Sequence, residues 1–421
     1  MIKYIDIFAG AGGLSEGFIR SGFEAIAHVE MNKDAINTIK TRLSYYYLKK
    51  RNKLSVYYQY LSGDITRNDL YNHIPDWILK TAIQYRMSEE NMMDLFEKID
   101  SLKGESNVDL VIGGPPCQAY SIAGRAKQKR LALKQAEGEH QDDNRKYLYK
   151  LYCQVLDRYK PKMFVFENVV GLLTADNGKH WEDIKSLFDL VGYEIDYKQL
   201  NAKDFGAPQD RKRIIIIGWI KGTNFVYPKF KKIKMSCNIR DIFRDLPRIN
   251  AGEKSDNYAS GNMHEYVSKY LRSKSDVLTQ HIARRVNERD KSIYKIAVDE
   301  WSQNRRLKYS DLSDELKTHK NDKDFVDRFK VVPADLAWCH TILAHISKDG
   351  HYYIHFDKEQ ARSLTVREAA RVQSFPDSYY FEGSRTSAFV QIGNAVPPLM
   401  AEGIAKSIKK QLLNEGEDEH A

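Results

Sequence analysis

The chain has 421 residues, 42% of them hydrophobic and 11% aromatic, enough for two or three domain cores, and it carries a formal charge of +9. No apolar run approaches the roughly 18–20 residues of a membrane span, and "MIKYIDIFAG" lacks a signal peptide's long apolar stretch, so a cytoplasmic protein is expected. Cys117, Cys153, Cys237 and Cys339 are scattered without a CxxC pair, which argues against a disulfide framework or a cysteine zinc site.

In chain order, "KYIDIF" reads as a strand and "GLSEGFIRSG" as a helix, with Gly10, Gly12 and Gly13 around the turn between them. Glycines there let the backbone turn tightly and bring a ligand to a helix N-terminus, although the spacing is neither GxGxxG nor a P-loop. A second strand, "AIAHVE", ends on Glu30, where a carboxylate can accept from ribose hydroxyls. The helix "KDAINTIKTRL" follows, then a spacer rich in Tyr, Lys and Arg from about Ser44 to Tyr60. Asp64, in "LSGDIT", reads as a further strand-end carboxylate suited to an exocyclic amine, and "DWILKTAIQY" and "MMDLFEKI" as helical insertions between about Asp69 and Lys103.

The buried run "VDLVI" meets "GGPPCQAYS", where two glycines and two prolines must end the strand. Cys117 therefore sits on a stiff turn at the edge of the sheet where ligands bind in open α/β folds, placed like a nucleophile. "KMFVFE" delivers Glu167 from apolar surroundings, a setting in which a carboxyl can donate a proton. "YEIDYKQL" and "RIIIIGW" complete the strands, and Arg211 and Arg213, two apart, are expected to point to one side. Strands alternating with helices predict a doubly wound α/β domain with a mostly parallel sheet.

The texture changes after Gly218. Between residues 221 and 330, 25 Lys and Arg face 16 Asp and Glu, an excess equal to the whole chain's +9. Charge gathered in one segment suits a polyanion-facing surface. From about Arg362 the pattern is helical again, "SLTVREAARVQSFP" and "PPLMAEGIAKSIKKQLL", with Thr365 or Ser363 as a cap, and "NEGEDEHA" reads as a disordered acidic tail. The histidines of "CHTILAHISKDGHYYIH" fit no usual zinc spacing, and no metal is expected.

Taken in order, "DIFAGAGGL", "GGPPCQAYS", "ENV", "QDRKR", "RSLTVREAARVQSFPD" and "QIGNAVPP" resemble the motifs of DNA cytosine-C5 methyltransferases of the bacterial restriction-modification type, over about Lys3 to Ile220 and Arg362 to Ile408. The resemblance implies an S-adenosylmethionine-dependent, Rossmann-like catalytic domain over residues 1–220, completed by 362–412. It also implies a smaller target recognition domain over 221–361, before the acidic tail at 413–421. By resemblance, Cys117 adds to C6 of a flipped cytosine, Glu167 holds the base's N3 and N4 edge and supplies a proton, and Arg211 and Arg213 grip the base and its backbone. S-adenosylmethionine is then expected against Phe8, Gly10, Gly12, Gly13, Leu14, Glu30, Met31, Asp64, Ile65, Pro115, Asn394 and Val396, and DNA against Gln118, Ser121 and Arg125. The implied partner is double-stranded DNA, with a cognate restriction endonuclease as functional counterpart, no membrane, and a monomeric enzyme. The alternatives are the same chemistry on RNA, since a tRNA-methylating branch shares these motifs, and a catalytically inactive DNA-binding relative. A nicotinamide oxidoreductase would leave the PPC and ENV residues without a role.

Overall fold

The computed structural model describes residues 1–116, 148–261, 263–317 and 326–418. The apolar runs become strands β1 (Lys3–Ile7), β2 (Glu24–Glu30), β3 (Ala82–Gln84), β4 (Leu110–Gly113), β5 (Met163–Asn168), β6 (Tyr193–Asn201), β7 (Gln209–Asp210), β8 (Lys212–Ile220) and β9 (Cys339–His340). Seven of them form one sheet in the order β3-β2-β1-β4-β5-β8-β6, while β7 and β9 pair separately and in parallel. The first five of that order run parallel, and β8 inserts antiparallel between β5 and β6. This is the doubly wound, mostly parallel α/β architecture the alternation predicts.

Both faces of the sheet are covered, which explains why strands such as "RIIIIGW" read as unbroken apolar runs. Ile5, Ile7, Val111, Phe164, Phe166, Ile214 and Ile216 turn to one face, under Leu95 and Ile99, Val155 and Leu156, and Ile184 and Phe188 of three helices. Tyr4, Leu110, Ile112, Met163, Val165, Ile215 and Ile217 turn to the other. There they meet Leu14 and Phe18 of α1 (Gly13–Arg20) and Met400, Ile404 and Ile408 of the terminal helix Pro398–Asp418.

The terminal helix lies so close to α1 that a Cβ on Gly17 would come within 2.3 Å of the Glu402 nitrogen and 2.5 Å of the Ala401 Cβ. Gly17→Ala is therefore expected to lower the melting temperature, by about 1–3 kcal/mol of stability, although alanine is the better helix former. Thermal denaturation checks this, and an unchanged or raised midpoint contradicts the packing argument.

Three elements depart from the sequence expectation. The stretch "DWILKTAIQY" is helical only over Asp76–Lys80, and Ala82–Gln84 is a strand instead, registered on His28–Glu30. Pairing with β2 overrides a helical pattern when only three residues are involved. Asp64 ends no strand; it is exposed just past helix Leu54–Ser62, its amide bonded to the Gln59 carbonyl. The chain beyond Leu412 continues the helix through Asp418, because a helix anchored by buried Ile404, Ile408 and Leu412 adds further residues at little cost. The rest of the acidic tail lies outside the described residues.

The Tyr-rich spacer extends α2 (Lys33–Lys50) and builds helix Leu54–Ser62, burying Tyr45 and Tyr57 with Leu61, Leu70 and Ile74. Further along, residues 237–278 share a core with helix Val366–Val372, whose cap is Thr365 with a reciprocal bond from Glu368. Buried arginines tie the two segments: Arg371 Nη2 donates to Asp245 Oδ2 (3.1 Å), and Arg362 Nε donates to the Ile249 carbonyl (2.9 Å) while its guanidinium grips Glu368 through two 2.8 Å bonds. A third core gathers Ile293, Tyr294, Ala297, Leu307, Tyr309, Phe329 and Val331. Among the described residues no helix is long and apolar enough to cross a membrane.

The histidines near residue 350 go to separate partners. His340 Nε2 donates to the Tyr352 carbonyl (2.6 Å), His351 Nδ1 meets the Tyr294 hydroxyl (2.8 Å), and His355 Nδ1 accepts from the Asp357 amide (3.0 Å). Burial pushes His340 down to about 4, and burial together with Arg362 pushes His355 down to about 3. Both are neutral in the fold, whereas an unfolded chain protonates its histidines near 6.5. The stability they contribute is thus complete above about pH 7 and lost progressively as the pH falls through 6.5 toward 4. Urea midpoints measured from pH 7.5 to 5 should fall for the wild type and fall less for His340→Gln; equal slopes refute the assignment.

Candidate active site

The site grows from the carboxyl ends of β1, β2, β4, β5 and from the start of β8. Leaving β1, the chain turns through Phe8 at φ 58° and Gly10 at φ 56° before α1 begins. A non-glycine residue in the left-handed region is costly and persists where the surroundings demand it. Here they do: the Ala9 amide bonds back to the Val29 carbonyl (3.0 Å), and the Gly10 amide donates to Glu30 Oε2 (2.9 Å). Glu30 Oε1 accepts from the Asn32 amide (2.8 Å). Burial raises the Glu30 carboxyl, and these amides pull it the other way. Among the described residues no atom comes within 4 Å of where a Gly10 Cβ would stand, so the loop is open to them on that side.

The second half starts on β4, the strand next to β1. β4 runs into Gly114, Pro115 and Pro116, and buried Asn168 at the end of β5 fixes that turn by donating from Nδ2 to the Pro115 carbonyl (3.3 Å). On β5 and β8 the pleat carries Glu167 and Arg213 to the same face as Val165 and Ile215. Arg213 Nε lies 2.8 Å from Glu167 Oε1, both side chains 12% exposed. Glu167 Oε2 lies only 2.7 Å from where a Cβ on Gly114 would stand, so a side chain there would collide with the carboxylate. One carboxylate oxygen thus holds Arg213 and the other faces the turn that leads to residue 117. Cys117, Gln118, Ser121 and Arg125 lie outside the described residues.

The other residues expected at the site take different places. Arg211 does not share a side with Arg213: it is fully buried, with Nη1 donating to the Ile342 carbonyl (2.8 Å) and Nη2 to the Gly393 carbonyl (3.0 Å). It falls between β7 and β8 rather than on a strand, so the alternation of side chains does not extend to it. Gly13 faces the Val396 carbonyl and Ala395 rather than an open cleft, and Leu14 and Val396 pack in the core under the sheet. Met31 and Asn394 are exposed, and Asp64 and Ile65 belong to the helical insertion. Asn168, which the sequence reading left without a part, positions the turn before Cys117; its place after a strand-end glutamate was the available signal.

Residues 2–55 and 76–410 match the family described as C-5 cytosine-specific DNA methylase, a match that passes over the segment holding Asp64 and Ile65. Type II methyltransferase M.Bpa9945I of Bacillus paralicheniformis is 43% identical across 96% of this chain and 98% of its own length. Type II methyltransferase M1.HphI of Haemophilus parahaemolyticus is 30% identical across 98% and 88%. A candidate DNA modification methyltransferase encoded within a prophage (E. coli) shares the fold with a TM-score of 0.62 at 23% identity, over 98% of this chain and 100% of that one. The Entamoeba histolytica methyltransferase EhMeth does so at 0.52 and 13% identity, over 99% and 98%.

Proposed function

This chain belongs to the C-5 cytosine-specific DNA methylases, and from that premise we propose that it methylates a flipped cytosine within one short sequence of double-stranded DNA, as the modification enzyme of a restriction-modification system. The observation that carries the site assignment is the Glu167–Arg213 pair, set at the sheet edge against the turn that delivers Cys117.

Cys117 attacks C6 of the cytosine as a thiolate, forming a carbon–sulfur bond. The electron pair displaced from the C5–C6 bond is stabilised as N3 takes a proton from Glu167. Glu167 Oε2 is the oxygen directed to that edge, since Oε1 is engaged by Arg213. Arg213 steadies the carboxylate and, by resemblance, reaches the base's O2. When bound, S-adenosylmethionine supplies an activated methyl group to C5. Transfer of the C5 proton to a water molecule or hydroxide from solvent, with the N3 proton returning to Glu167, then restores the C5–C6 double bond and expels the cysteine thiolate.

The residues at the other end of the cleft suit that cofactor: an open loop at Gly10, Phe8 turned out of the strand at positive φ, and the Glu30 carboxylate at the end of β2. These three are the residues we assign to it. Asp64 receives no such part, and Arg211 acts as a positioning residue. We further propose the division into a catalytic unit over 1–220 completed by 362–412 and a recognition unit over 221–361, a monomeric state, and a cytoplasmic location.

Bisulfite sequencing of DNA from a methylation-free bacterial host expressing the protein, beside a Cys117→Ser control, tests the reading. Methylated cytosines in one sequence context, present only with the intact cysteine, are the expected result. Blank samples from soluble protein that binds S-adenosylmethionine would move the substrate to RNA.

A further inference from the structure

A second cavity, of about 360 Å³, opens in the basic part of the chain beside the recognition core. We propose that it receives an unstacked nucleobase of the DNA strand flanking the target cytosine, so that the enzyme holds a second base besides the one it methylates. This rests on the duplex-DNA reading for the identity of the strand.

Position is the first argument. Asp210 and Thr341 line the cavity, and the Thr341 hydroxyl donates to the Asp210 carbonyl (2.6 Å) across the β7–β9 pair. Asp210 lies three residues before Arg213, about 10 Å of extended chain, so the cavity adjoins the cytosine site.

The walls supply the second argument. Trp301, Phe329 and Trp338 line a single space, and Trp338 remains 39% exposed although it is the kind of side chain a core normally absorbs. Aromatic faces left open beside cations are the usual platform for stacking unpaired bases. The Lys203 ammonium stands 4.6 Å from the Trp338 ring centre and pairs with Asp210 (2.8 Å).

Charge is the third. Arg306 and Lys330 share one partner, Asp327, at 3.3 and 3.5 Å, and Arg306 is half exposed. Such pairs are weak in water, and a phosphate at the cavity mouth can replace the carboxylate without leaving a buried charge unpaired. The cavity volume falls within the roughly 300–1,000 Å³ typical of small-molecule sites.

The test uses the full-length protein and duplexes bearing the methylated sequence, with single abasic replacements at each flanking position. Wild type, Trp338→Ala, Trp338→Phe and Trp301→Phe are compared by fluorescence anisotropy. At one flanking position, loss of the base should weaken wild-type binding about tenfold and Trp338→Ala binding less than twofold, with Trp338→Phe restoring the position dependence. A flat profile for wild type overturns the proposal, as does an equal loss by Trp338→Ala on every duplex, random sequence included, which marks a backbone contact. Saturable quenching of tryptophan fluorescence by free dCMP or dAMP, together with a flat abasic profile, would assign the cavity to a mononucleotide instead. Methyl transfer by the wild type to the unmodified duplex separates the two readings. If it is absent, the DNA reading fails and this proposal with it; if it is present, the abasic profile alone decides.

Discussion

Replacing Glu167 by glutamine is expected to slow methyl transfer by about 10²- to 10⁴-fold, the range associated with losing a positioned acid–base group. The change keeps the side chain's volume and its place opposite Gly114, but removes the carboxyl group that pairs with Arg213 and can pass a proton to N3. Binding of S-adenosylmethionine should stay within about twofold of wild type, because the loop and carboxylate assigned to it stand on β1 and β2, on the far side of β4. Single-turnover transfer rates and a cofactor titration read the two quantities separately. A variant that binds cofactor normally and transfers methyl at the wild-type rate would exclude Glu167 as the acid.

Arg211→Ala should fail differently, through the fold. The guanidinium is completely buried and spans the carbonyls of Ile342 and Gly393, so its loss leaves two buried acceptors without that donor and a cavity between them. The expected cost is about 3–5 kcal/mol, visible as a lowered melting temperature. Lysine should not restore it, since one ammonium cannot reproduce a planar fork spanning two acceptors. Arg213→Ala is the contrast: its side chain is partly solvated and, besides Glu167, donates only to the neighbouring Lys212 carbonyl (2.8 Å) among the described residues, so it should melt near wild type while transfer falls. If Arg211→Ala melts normally and loses only activity, a direct contact with the base is restored as the better explanation.

These two arginines show what the sequence could and could not convey. The spacing of the arginines marked both as important, but which side each takes depends on where the strand begins, and β8 begins at Lys212, between them. Five of the seven strands of the main sheet were legible because burial makes them largely apolar runs, and the exposed edge strand β6 was legible from its alternating β-branched and aromatic residues. β3 was not, since three residues inside a helical pattern become a strand only by pairing with His28–Glu30. Glu30 and Glu167 could be found because each directly ends a strand run, whereas Asp64 only imitates that arrangement behind a helix. Gly13, Leu14 and Val396 carry the right letters for a ligand loop, yet they are demanded by packing between segments nearly 400 residues apart, a relation no local pattern displays.

That long-range packing also governs when the protein can become active. One face of the central sheet is sealed by Met400, Ile404 and Ile408, against α1 near the other end of the chain. While a ribosome is still making residues 400–412, Leu110, Val165 and Ile215 lack their cover, and the nascent chain must hold that surface open or give it to a chaperone. Methyl transfer is therefore expected only from chains that include this helix, and chains ending before residue 400 are expected to leave that face uncovered and to aggregate.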